Sequence, residues 1–131
     1  MLDLTNSIYT QIKAAVKAVF PETVVLKTYQ ATDPSFPCVT LEDLGNPEIG
    51  RNLSGTGKQS NPSWQIDIYA DGSTGELVAK QIRDAIVPVC EGKFFLHRDD
   101  SRHTTNVADV TIYRWTLRYS CRVSEDNQCI Y

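Results

Sequence analysis

The chain has no apolar run near the ~20 residues that a membrane-spanning helix requires. Its first residues, Met1-Leu2-Asp3-Leu4-Thr5, carry neither the basic nor the apolar stretch of a secretory signal, so no leader is expected. Four cysteines, Cys38, Cys90, Cys121 and Cys129, are scattered without a C-x-x-C pair, which removes the usual half of a zinc site. A reduced, intracellular chain is the expectation, with a Cys121–Cys129 bridge across a terminal turn left open. Positive charge is also scarce. With 13 Lys+Arg against 16 Asp+Glu the net charge is −3, which argues against salt-driven, non-specific nucleic-acid binding as the main task. DNA that merely passes nearby is not excluded.

Catalytic motifs are missing too. There is no G-x-S-x-G, and no cysteine has an activating histidine nearby. Gly55-Thr56-Gly57-Lys58 lacks the G-x-x-x-x-G-K-[ST] spacing of a phosphate loop, and no strand–turn–helix surrounds it. Neither an internal repeat nor a low-complexity tract is present. What remains is an ordinary globular composition, 41% apolar and 22% charged over 131 residues. That length favours one domain over residues 1–131, large enough for one core without staples.

Periodicity then gives the elements. Ile8, Ile12, Val16 and Val19 share one face of a first helix, with Thr5, Asn6 or Ser7 as N-cap and Pro21 as the stop. Residues 23–29, with Val24, Val25 and Leu26, predict a strand. A polar turn at Ala31-Thr32-Asp33-Pro34 leads to a second strand beginning Phe36-Pro37-Cys38-Val39, and the two are expected to pair antiparallel. Trp64, Ile66, Ile68 and Ala70 alternate with Gln65, Asp67 and Tyr69, a strand with one buried face. Ser73 and Glu76 form a capping box before a second amphipathic helix through Val78, Ile82, Ala85, Ile86 and Val89, ending near Pro88 and Gly92. Residues 94–96 predict a short strand, and the polar run 97–106 a turn. The predicted order is α-β-β-loop-β-α-β-β: an α+β fold, its mostly antiparallel sheet carrying two helices on one face.

Two stretches exceed what a small domain needs. Residues 45–63 hold four glycines and two prolines among Asn and Ser, and predict a long flexible loop, mobile in the isolated chain. Residues 109–123 alternate as one strand, with Tyr113, Trp115 and Tyr119 toward the core and Arg114, Arg118 and Arg122 on the other face. Fifteen residues extended span roughly 50 Å at ~3.3 Å each, against an expected radius of gyration of about 14 Å. That strand must bend, break or project. Residues 124–131 follow as a C-terminal tail.

His97, Asp99 and His103 are the one histidine–carboxylate cluster, but nothing orients a third metal ligand, and a polar turn explains the same residues. No catalytic, cofactor or metal residues are therefore assigned. The arginine row reads as a solvated face or as a contact surface for a neighbour's carboxylates, which guanidinium pairs bidentately; DNA phosphates are a third reading, weakened by the acidic net charge.

The helix, the strand Phe36-Pro37-Cys38-Val39, the long polar loop, the strand Trp64-Gln65-Ile66-Asp67-Ile68-Tyr69 and the closing Val110-Thr111-Ile112-Tyr113-Arg114-Trp115-Thr116-Leu117-Arg118-Tyr119 together resemble the tail terminator proteins of long-tailed phages and prophages. These are also called tail completion, head-to-tail joining or minor capsid proteins. The resemblance implies a virion protein of the tail and neck, made in the bacterial cytoplasm. It would form a ring, typically a homohexamer, on the end of the tail tube and join it to the head connector, with genome DNA passing through the lumen and no enzymatic residues. Arg51, Lys58, Arg114, Arg118 and Arg122 are the expected assembly interface. A head-completion or adaptor protein of the same neck is the neighbouring alternative. A small ligand- or metal-binding domain using the histidine segment is the more distant one.

Overall fold

The computed structural model describes residues 4–27, 36–45, 48–51, 58–105, 112–124 and 129–130. Helix α1 (Thr5–Val19) buries Ile8, Ile12 and Val16, the residues that its apolar spacing places on one face. Val19, in the last turn, is exposed instead. The helix ends where expected, because Phe20 before Pro21 is extended at φ −131°. Its start differs from expectation. Leu4 is the N-cap residue and no side chain caps the helix. Thr5 Oγ1 is engaged elsewhere: it accepts from Trp64 Nε1 at 3.1 Å and donates to Asp43 Oδ2 at 3.3 Å.

The main sheet has five strands in the order β1-β2-β5-β7-β6. These are β1 (Val24–Leu26), β2 (Cys38–Gly45), β5 (Ser63–Ala70), β6 (His97–Thr105) and β7 (Tyr113–Ser120). On β5 the apolar half of the alternation, Trp64, Ile66, Ile68 and Ala70, is buried as predicted. Asp67 and Tyr69 on the other face are buried as well, so the strand does not have one buried face alone. The partners of Trp64, Ile66, Ile68 and Ala70 in β7 are Tyr119, Leu117, Trp115 and Tyr113. Helices α1 and α2 (Gly75–Val87) cover this face, and Ala79, Ile82 and Ile86 of α2 complete one core cluster with it. The fold is thus α+β, with two helices on a mostly antiparallel sheet.

Several expectations are corrected. β1 runs parallel to β2, with Val24 opposite Cys38 and Leu26 opposite Thr40. The tight turn expected at Ala31-Thr32-Asp33-Pro34 lies outside the described residues, and parallel neighbours cannot be joined by such a turn alone. The capping box at Ser73 does not form: α2 begins after Thr74, and Glu76 pairs with Lys80 at 2.7 Å. Residues 94–96 are not a strand. A π-helical turn (Pro88–Lys93) follows α2, and the Leu96 amide donates back to Cys90 O at 2.9 Å. The polar run expected as a turn is β6, which among the described residues is an edge strand paired only with β7. An edge strand needs no apolar face, and charged side chains keep its open side from pairing with other chains.

The segments expected as loop and tail also contain strands. β3 (Glu48–Arg51) pairs with β4 (Lys58–Ser60), β4 with β8 (Val123–Ser124), and β8 with β9 (Cys129–Ile130). Too few apolar residues alternate there to signal a strand. Residues 28–29, 46–47, 52–57, 109–111, 125–128 and 131, to which the strand, loop and tail expectations also extend, lie outside the described residues.

This second sheet continues the first. β2 leads into β3, β4 into β5 and β7 into β8, and the order β2-β5-β7 repeats as β3-β4-β8. The pairing Ser63 opposite Ser120 becomes Ser60 opposite Val123 without a change of register. Likewise Gly45 opposite Ser63 becomes Glu48 opposite Ser60. The break falls at one level. Gly45 has φ +131°, Pro62 has no amide to donate, and Cys121 N–H reaches the Pro62 carbonyl at 3.2 Å. The overlong last strand of the sequence is resolved by this break. Ser60 and Val123, just beyond it, are still buried. The outer rungs of β3, β4 and β8 run on past them.

Candidate functional site

The sheet face away from the helices carries a connected polar network. Its centre is Asp67 on β5, only 4% exposed. Asp67 Oδ1 accepts from Arg114 Nε at 3.0 Å and from Thr116 Oγ1 at 2.7 Å, while Oδ2 accepts from Gln65 Nε2 at 2.9 Å. Thr104 on β6 donates to Thr116 Oγ1 at 2.8 Å, and Arg118 Nε donates to Gln65 Oε1 at 3.0 Å. A buried carboxylate is stable when its lone pairs are filled in this way. Burial opposes the charge of Arg114, but the hydrogen bond and charge of Asp67 outweigh it and raise the guanidinium pKa. The Arg114 guanidinium also lies over the Tyr69 ring at 5.5 Å.

A depression of about 270 Å³ opens on this face, lined by Lys27, Thr40, Glu42, Gln65, Asp67, Tyr69 and Arg114. Two cations and two carboxylates balance there, so it draws neither free anions nor free cations strongly. It suits a partner surface that offers both signs.

The five residues singled out from sequence fall in three places. Arg114 and Arg118 share the network face on β7. Arg122 lies past the end of β7, exposed, beside a second depression of about 360 Å³ shared with Asn61, His97, Ser120 and Cys121. Arg51 and Lys58 are direct partners across the β3–β4 hairpin. Gln65 and Asp67 were missed as the arginines' partners, and Thr116 as a second donor to Asp67. The polar half of the β5 alternation pointed to Gln65 and Asp67, but nothing local revealed that β7 would lie beside them.

The histidine cluster does not gather. His97 Nε2 is 3.8 Å from Asp99 Oδ1, and His103 stacks instead on Tyr113 with ring centroids 4.5 Å apart. Six residues of strand put the two histidines roughly 20 Å apart. No three His, Cys, Asp or Glu side chains group as a metal site among the described residues. Cys38, Cys90 and Cys121 are buried free thiols. Burial raises the pKa of all three, Cys90 to about 12 and Cys121 to about 11. Low thiolate content makes them packing residues rather than nucleophiles. Tyr119 is fully buried as expected, whereas Tyr113 and Trp115 are half-buried against the core.

No protein-family model matches this sequence, and no characterised protein matches it by sequence. Among solved structures, a chain of the virion of a native gene transfer agent particle has a similar fold. The match has a TM-score of 0.75 at 17% identity and covers 92% of this chain and 94% of that one.

Proposed function

We propose that this chain is a structural protein of a phage-type virion, and within it the tail terminator. It closes the tail tube as a homo-oligomeric, typically hexameric, ring in the neck and presents a face to the head connector. The likeness of fold to a gene transfer agent virion chain over nearly the full length of both carries this reading. The element pattern in the sequence supports it separately.

The geometry supplies suitable contact surfaces. The continuation of β2, β5 and β7 past the break places Arg51 opposite Lys58 on a hairpin. Two basic residues at one level of the hairpin suit carboxylates from a neighbouring subunit or the tube. The network face adds Arg114 and Arg118 in fixed orientations, because each is held through its Nε. The excess of acidic residues suits a wall that lets DNA pass through the lumen without holding it.

Genetic complementation tests this. In particle-producing cells that lack the gene, the wild-type chain should restore tails joined to heads. The double variant Arg51→Glu, Lys58→Glu should fold normally yet restore at least tenfold fewer. Full assembly in cells without any copy would refute the reading.

A further inference from the structure

Arg122 is the last of three arginines on the sheet face that points away from the helices. Arg114 and Arg118 are already engaged, each donating its Nε across the sheet, to Asp67 and to Gln65. Arg122 is exposed and has no hydrogen-bond or ion-pair partner among the described residues. The register surrounds it with further donors. Ser63 stands opposite Ser120 and Ser60 opposite Val123, with Cys121 N–H on the Pro62 carbonyl between them. Counting along the two strands sets Asn61 opposite Arg122. His97, the first residue of β6, stands opposite Ser120 from the other side. Paired positions share a face, and so do residues two apart on one strand. Asn61, His97, Ser120 and Arg122 therefore gather on one face, where with Cys121 they line the depression of about 360 Å³.

The depression lies at a gap in the sheet. β6 borders β7 as far as Ser120, and β9 borders β8 from Val123 onward. Cys121 and Arg122 fall between, with no described strand beside them on that side.

The lining is rich in donors and contains no Asp or Glu. Arg122 offers a guanidinium, Asn61 an amide NH2 and Ser120 a hydroxyl. Asp99 Oδ1 lies 3.8 Å from His97 Nε2, too far for a hydrogen bond. The depression around Asp67 differs, because its two cations are balanced by two carboxylates and its arginine is already bonded. Here one anion is missing. A guanidinium with open N–H groups pairs a carboxylate through two parallel hydrogen bonds, and the amide and hydroxyl can serve the remaining lone pairs. DNA is the weaker match, since it calls for several cations along its backbone, and here one arginine stands in a chain of net charge −3.

We propose that this depression is a carboxylate-binding site, which takes an Asp or Glu side chain of a neighbouring protein chain in the particle. Arg122 pairs the carboxylate, and Asn61 and Ser120 add donors. Arg114 and Arg118 hold the sheet, while Arg122 meets the partner. The inference rests on the virion reading above.

Carbodiimide cross-linking of purified particles tests it. Arg122→Lys keeps the charge and places a primary amine in the depression. Carbodiimide condenses that amine with a carboxylate in contact with it, and mass spectrometry locates the resulting amide bond. Particles carrying Arg122→Lys should link position 122 to an Asp or Glu of another chain, seen as a larger species on a denaturing gel. Arg122→Glu, at an exposed position, should keep the wild-type Tm yet restore about tenfold fewer joined particles, because like charges then meet. No link from position 122, or a link to Asp99 that leaves the chain at monomer size, overturns the inference. So does full assembly with Arg122→Glu, and if those particles assemble but lose their DNA, the depression meets phosphate instead. A chain absent from the particles removes the virion reading as well. A chain present in them without the link removes this inference alone.

Discussion

Arg114 on β7 donates its Nε to Asp67 Oδ1 on β5 at 3.0 Å, and the carboxylate it meets is almost wholly buried. The pair sits on the sheet face opposite the core, where a solvated polar surface would ordinarily suffice. Asp67 organises that face. Removing it takes one partner at once from Arg114, Thr116 and Gln65, although Thr104 still bonds Thr116 and Arg118 still bonds Gln65. Asp67→Ala is expected to lower stability by about 2–4 kcal/mol in urea unfolding, as for other buried carboxylates whose partners are left behind. Arg114→Ala should cost less, about 1–2 kcal/mol, because Thr116 and Gln65 still serve the carboxylate. Equal costs would show that the two act only as a pair.

The break between the two sheets passes through Gly45. Its φ of +131° is open only to glycine, and an added Cβ would meet nothing within 4 Å. The cost of Gly45→Ala is therefore backbone strain alone, about 1–2 kcal/mol. Chemical denaturation measures it directly. An unchanged midpoint would mean that the chain passes the break without this backbone conformation.

Alkaline pH should destabilise the fold through its buried thiols. Cys90 is raised from 9.0 to about 12, and Cys121 to about 11. Below pH 9 both the folded and the unfolded chain hold these protons, so neither thiol contributes a pH dependence. Above pH 9 the unfolded chain releases them and the folded chain does not. Stability then falls as pH rises toward the folded values, by up to ~1.4 kcal/mol per pH unit for a single fully buried group. Denaturation midpoints from pH 8 to 10.5 should show a decline that begins near 9 and shrinks in Cys90→Ala. In a Cys129→Ser background at pH 8, the three buried thiols should react with a thiol reagent only as fast as the chain opens. Immediate reaction would contradict their burial.

The sequence revealed the core and missed the edges, for a physical reason. Ile8, Ile12 and Val16, and then Trp64, Ile66 and Ile68, repeat with the period of the element they build, because each must bury one face. Polar strands have no such obligation. β6 reads as a turn because an edge strand with one neighbour can be wholly charged, and β3 and β4 read as loop for the same lack of alternation. The arginines were visible as a row, but their partners were not. Asp67 lies 47 residues before Arg114 and meets it only through sheet pairing.

Electron microscopy of particles and assembly intermediates carrying a tagged copy of the chain tests the tail-terminator role most directly. The tag should appear as a ring at the head-proximal end of the tail tube, including on tails that have not yet joined a head. A tag found on tail-less heads, spread along the tube, or missing from the particles would contradict it.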